Sequence, residues 1–192
     1  EAGDAALKHA AGISPVQAKL EKATKLFAEG KFREAETIAK EVLAANPRDV
    51  NAGLLLGRIA LHARAFSEAE KLLRKVVEMA PRFMIAWHDL GTALKEQGKE
   101  EEAIKSLEQA LELEPNNASS HYYYAAALAM AGRTEDSAGA YKSAVTLDPS
   151  LAGAYIGLGH VLKTLGDQEG GIEAYRAAIA LRPNFGEIYF SL

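Results

Sequence analysis

Cysteine is absent from this chain, which excludes a disulfide framework, a thiolate metal site and a cysteine nucleophile, and which fits a reducing compartment. The cytoplasm is the expected location. Long apolar runs are missing too. Stretches such as Ala125 to Ala131 fall far short of the roughly 20 residues that span a bilayer, so no membrane partner is expected. Neither charge dominates: 22 basic and 26 acidic residues are interspersed, with a net charge of -4, so no basic stripe awaits phosphates and nucleic acid is not an expected ligand. Glu1 to Gly12 is alanine-rich but lacks the basic head, apolar run and cleavage site of a secretory signal. The five histidines, His9, His62, His88, His121 and His160, never pair at the helical spacing of a metal-binding motif, so no metal is expected. Gly157 and Gly159 begin like a nucleotide-binding fingerprint, but no strand precedes them and Leu162 stands where the third glycine belongs. His88 beside Asp89 suggests an acid/base pair, yet consecutive residues on a helix point about 100° apart. No catalytic residue and no cofactor are therefore expected.

Proline is sparse, and its placement is the strongest signal in the chain. Five of the six prolines, Pro47, Pro81, Pro115, Pro149 and Pro183, lie 34 residues apart each time; Pro15 is out of register. The same step collects a column of small residues, Ala23, Gly57, Gly91, Ala125 and Gly159, as required where two helix backbones come close. A second small column holds Ala35, Ala69, Ala103, Ser137 and Gly171, and an apolar column between them holds Leu26, Ala60, Leu94, Leu128 and Leu162. Larger residues recur as Leu73, Leu107, Tyr141 and Tyr175, and as Leu56, Leu90, Tyr124, Leu158 and Leu192.

Within each repeat the apolar residues return at helical spacing in two segments, as in Trp87, Leu90 and Leu94 and then Ala103, Leu107, Ala110 and Leu111, so each repeat reads as a helical hairpin. Gly30, Gly98, Gly132 and Gly166 sit between the two segments, where a left-handed residue ends a helix; Arg64 replaces glycine in the second repeat. The prolines end each second helix. The charged stretch Lys95 to Glu102 reads as a solvated turn and helix start rather than an acidic docking patch.

These residues resemble the tetratricopeptide repeat family, with the third repeat matching best through Trp87, Leu90, Gly91, Gly98, Ala103, Leu107, Ala110 and Pro115. The fold class expected is all-α, a right-handed superhelical α-solenoid of tetratricopeptide helical hairpins. The hairpins are placed at 16–49, 50–83, 84–117, 118–151 and 152–185, after an extension or cloning remnant at 1–15, and 186–192 starts a truncated sixth. The absent initial methionine and the stop at Leu192 read as a piece excised from a longer protein. Lys19 and Lys22 replace the large apolar residues of later repeats, as suits a solvent-facing cap, and Ser14, Pro15 and Gln17 form a helix start. An uncovered apolar edge around Ile188, Tyr189 and Leu192 predicts end-to-end self-association.

The resemblance implies a concave face lined by the first helix of each hairpin and open to a peptide or helix of a partner protein. Columns not used for packing give the candidate groove: Asn51, Leu54, Leu55, Arg58 and His62, then Ile85, His88, Asp89 and Thr92, then Ser119, Tyr122 and Tyr123, and finally His160. Leucine and tyrosine there favour a contact surface over a merely solvated one. The run Tyr122 to Tyr124 also admits a packing role between hairpins, and Tyr124 is assigned to the core. The slots in which chaperone-binding relatives carry a carboxylate clamp hold Leu20, Thr24, Leu55, Ile85 and Asp89 here. The asparagine ladder of O-GlcNAc transferase repeats is replaced by Leu55, Asp89, Tyr123, Gly157 and Ser191.

The function expected is a protein-binding scaffold. The alternatives are a substrate-recruiting region of a larger enzyme, sulfotransferase-like or glycosyltransferase, or a structural, self-assembling spacer. Arg182 to Leu192 resembles the repeat before the catalytic domain of bacterial sulfotransferases with tetratricopeptide repeats.

Overall fold

A computed structural model describes residues 14–183. Ten helices occur among the described residues, and no strand does. They are α1 (Pro15–Ala28), α2 (Phe32–Ala45), α3 (Val50–His62), α4 (Phe66–Met79), α5 (Met84–Lys95), α6 (Glu100–Leu113), α7 (Ala118–Met130), α8 (Thr134–Leu147), α9 (Ala152–Thr164) and α10 (Gln168–Leu181). Consecutive pairs form five hairpins, so the architecture is the all-α helical repeat expected. The chain divides into two compact units between Arg82 and Phe83. The uncovered edge at 186–192, most of the match to sulfotransferases and residues 1–13 lie outside the described residues.

The turns explain why each hairpin forms. After every first helix one residue is left-handed: Gly30, Gly98, Gly132 and Gly166, with φ of +76, +69, +75 and +87°. Arg64 takes the same conformation at φ 57°. The amide of the residue after the left-handed one then reaches back, Lys31 N–H to Leu26 O at 2.9 Å, Ala65 to Ala60 at 2.8 Å and Lys99 to Leu94 at 3.0 Å, which satisfies carbonyls that a helix end leaves bare. Arg133 to Leu128 and Asp167 to Leu162 repeat the bond at 2.9 Å. Second helices stop because the residue before each proline is driven extended: Asn46, Ala80, Glu114, Asp148 and Arg182 all have φ between -137 and -135°. Helix starts are capped where a side chain permits: Ser14 accepts from Gln17 N–H, Asp49 from Ala52 N–H, Asn117 from Ser120 N–H and Asp167 from Gly170 N–H.

In the first unit, α1, α2 and α3 close around Ala23, Leu26, Ala35, Ala39, Leu55, Leu56 and Ile59, with Phe27 and Phe32 packed on the edge. In the second, Leu90, Leu94, Ile104, Leu107 and Leu128 are almost wholly buried. The small columns mark close approach: a Cβ on Gly57 would stand 2.8 Å from Leu73, and on Gly159 2.6 Å from the Tyr175 ring. Ser137 in the second small column donates its hydroxyl to Ala125 O at 2.7 Å, so the buried polar atom is satisfied. Tyr124 departs from the core role expected of it. It is half-buried, and its hydroxyl donates to Glu108 Oε1 at 3.0 Å, because a tyrosine in a leucine column must carry its polar tip to a partner near the surface.

Candidate functional site

The first helices carry the candidate residues, and each unit is taken separately. In the first unit α1 and α3 lie side by side, leaving an open groove of about 900 Å³. Leu20, Phe27, Leu54 and Leu55 supply apolar lining, and Asn51 and Arg58 stand exposed among the lining residues. Leu54 and Leu55 are themselves 9% and 6% exposed, so they offer a floor rather than projecting side chains. The Arg58 guanidinium lies over Phe27, 5.4 Å from its ring centroid, giving the apolar surface a cationic edge. His62 is placed elsewhere: its ring lies against Phe32 with centroids 3.9 Å apart, at the turn of the first hairpin.

In the second unit α5 and α7 bring together a polar and aromatic cluster. His88 Nδ1 lies 2.9 Å from Ser120 Oγ, and its ring meets Tyr123 edge-on at 5.2 Å. Tyr122 packs edge-on to Tyr123 at 5.0 Å, and the Lys95 ammonium sits 5.6 Å from the Tyr123 centroid. Burial holds the Tyr123 phenol above the usual tyrosine range, helped by Tyr122 and by the carboxylates of Glu96 and Asp89. Asp89 is 9% exposed. Thr92 turns its hydroxyl back to His88 O at 3.1 Å. Ile85 and Ser119 are exposed, and they stand on the same helices as the cluster. On α9, exposed His160 has its Nδ1 2.8 Å from the Tyr175 hydroxyl.

Ser120 was not among the residues singled out from sequence, and Lys95 was read only as the start of a solvated charged stretch. Within the five hairpins Ser120 interrupts a column otherwise made of Ala18, Ala52, Ala86 and Ala154, and that departure is the signal that finds it. His88 and Ser120 have the spacing of a base and its nucleophile, but Ser120 is 0% exposed and no substrate atom has an approach to its oxygen. Their bond is an interhelical tie. In the first unit, Leu20, Thr24 and Phe27 join the groove from α1, although their repeat was read as a cap. They occupy the same columns as Leu54, Arg58 and Leu61, which is the sequence signal. Among the described residues no group of three or more His, Asp or Glu side chains is placed to hold a metal ion. No described helix is long and apolar enough to cross a membrane.

Family models described as tetratricopeptide repeat match residues 26–94, 88–152 and 152–185, and so account together for nearly all of the described chain. No curated protein matches the sequence. Among solved structures, a crystal structure of MamA shares 22% identity and a TM-score of 0.75, covering 86% of this chain and 96% of that one. MamA from Desulfovibrio magneticus RS-1 gives 19% identity and a TM-score of 0.78, covering 90% and 98%. YrrB, described as a TPR protein with an unusual peptide-binding site, gives 17% identity and a TM-score of 0.76, covering 97% and 96%. These likenesses establish the fold.

Proposed function

This chain belongs to the tetratricopeptide repeat family, and from that premise we propose that it is a non-catalytic protein-interaction scaffold whose first-helix faces take an extended peptide or a helix of a partner. The observation that carries the reading is the open groove in the first unit. There, half-buried Leu20 and Phe27 line an apolar trough over a floor of nearly buried Leu54 and Leu55, with exposed Asn51 and Arg58 beside them. A buried apolar anchor with a polar rim is what a peptide site needs. The exposed Arg58 adds a positive charge that selects segments with an acidic residue next to an apolar one. In the second unit, Tyr122, Tyr123, His88 and Lys95 form a face of the same character, in which rigid aromatic area and hydrogen-bonding tips come from the same side chains.

A peptide array probed with the intact chain tests this, followed by titration of the recovered peptides against Arg58→Glu and Thr24→Glu. Both positions are exposed, so folding should survive the changes. Loss of binding of at least about ten-fold is expected, a difference of about 1.4 kcal/mol. Recovered peptides that bind both variants and a Tyr122→Ala chain as tightly as the parent would overturn the assignment.

A further inference from the structure

One column of the repeat carries a ring in every hairpin of the second unit: Trp87, His121 and Tyr155. In the fourth repeat the ring is turned toward the proline that ends the preceding hairpin, with His121 Nε2 2.8 Å from Pro115 O. In the fifth, Tyr155 packs against the cluster of Tyr175 and Ala178. One ring of the column thus reaches the proline corner, and another the second helix of its own hairpin.

In the second repeat the residue in this column is Gly53. At the equivalent place lies a cavity of about 320 Å³, lined by Leu43, Ala44 and Pro47 from one hairpin and by Gly53, Leu72, Val76 and Met79 from the next. Pro47 is the counterpart of Pro115, and Val76 that of Ala178, two and three periods of 34 residues apart. The repeat has adjusted only partly to the loss of the ring. Valine replaces the alanine of the later hairpins and takes the room beside Gly53, where a Cβ would stand 2.9 Å from Val76 Cγ2. Two extra methyl groups do not fill the volume of an aromatic side chain, and the remainder stays open. Both charged side chains that line the cavity are lysines, Lys40 and Lys75, and both are exposed. Lys40 also pairs with Glu36 one turn away, an exposed i,i+4 contact of the weak kind that a better anion displaces.

We infer that this cavity is a socket for an aromatic side chain carried on an acidic segment of a partner protein, the partner supplying in trans the ring that the later hairpins supply themselves. Leu43, Ala44, Pro47, Leu72, Val76 and Met79 give a ring apolar contact on several sides, and Ala178, the counterpart of Val76, packs with Tyr155 in the fifth hairpin. The two ammonium groups at the rim select carboxylates on flanking residues. Apart from Pro47 and Gly53 this site is lined by the second helices α2 and α4, and it shares no lining residue with the groove between α1 and α3, so either assignment can fail without the other.

The test uses the full chain with labelled methyl groups, observed by NMR, and three acetylated pentapeptides at up to millimolar concentration. One has tryptophan flanked by two acidic residues on each side, one has alanine in place of tryptophan, and one has lysines in place of the acids. The acidic tryptophan peptide is expected to shift the methyl signals of Leu43, Leu72, Val76 and Met79, with the other two at least ten-fold weaker. Ala44→Phe, which fills the socket from its exposed rim, and Lys75→Glu should each weaken the first peptide by ten-fold or more. The proposal is overturned if those four signals do not move, if all three peptides move them equally, or if the shifts fall instead on Leu54 and Leu55. The wild-type comparison decides it even if Ala44→Phe does not fold.

Discussion

A side chain at position 91 has nowhere to go: its first carbon would lie 2.5 Å from Leu107 Cγ and 3.1 Å from both terminal methyls. Gly91→Leu must therefore push α5 and α6 apart, and a destabilisation of about 1–3 kcal/mol is expected from overpacking, read as a lower thermal midpoint. Combining it with Leu107→Ala should recover part of the loss, whereas two independent sites would add. Arg64 shows the opposite strain, since it holds φ 57° in a turn where the other four hairpins use glycine. A left-handed non-glycine residue costs roughly 1–2 kcal/mol, and the extra freedom of an unfolded glycine offsets about half of that. Arg64→Gly should thus stabilise by up to about 1 kcal/mol, less whatever the guanidinium contributes 5.8 Å from the Phe66 ring. Arg64→Ala should bring no such gain, and a denaturant series on the two variants separates the explanations. The tyrosines give a pH signature. Burial raises the phenols of Tyr141 and Tyr123 above the ordinary value. The native state then keeps protons that the unfolded chain releases near pH ~10, so the stabilisation is full below that pH and falls as pH climbs past it. Tyr141→Phe should flatten this alkaline decline in the denaturation midpoint, and an unchanged slope would assign the decline to other groups.

At the level of helices and turns, the sequence was legible wherever one residue type answers one geometric demand. Proline after every second helix, glycine or a substitute at every left-handed turn, and small residues where backbones approach are each forced choices, and they fixed the hairpins without reference to neighbours. Depth was harder to read. A 34-residue column names the face on which Leu54 and Leu55 lie, but a modest rotation of α3 decides whether they project or form a floor, and they are nearly buried. Cross-helix pairs are illegible for another reason. His88 and Ser120 are 32 residues apart and meet only because α5 and α7 are brought side by side, so no local pattern announces them. That tie is testable. Ser120→Ala restores the alanine of the other repeats, yet it should cost about 0.5–1.5 kcal/mol through the lost hydrogen bond. The ring resonances of His88 and Tyr123 should move in the same variant, a response that loss of a merely structural hydroxyl elsewhere on α7 would not give.

Across the whole chain, stability in a repeat array is a sum of hairpin terms and nearest-neighbour contacts, so it need not be uniform. Burial separates a weak helix from a firm one. Helix α1 buries only Ala23 and Leu26, with Lys19 and Lys22 in solvent, while α5 buries Ala86, Asp89, Leu90, Gly91, Ala93 and Leu94. Local opening should follow the same order, and amide exchange in α1 is expected to run at least about ten-fold faster than in α5 at equal intrinsic rates. Equal protection in both would mean that the chain opens as one cooperative body, and the nearest-neighbour account would then fail. The weak helix is also the one that forms half of the groove with α3, so binding and local stability are coupled there. An occupant that binds the closed form alone adds RT ln(1 + [L]/Kd), about 2.7 kcal/mol at a hundredfold excess over Kd. A peptide seated between α1 and α3 should therefore slow exchange in α1 by roughly two orders of magnitude while leaving α5 and α6 unchanged. A peptide in the socket on α2 and α4 should protect those helices instead, so a single exchange map distinguishes the two surfaces.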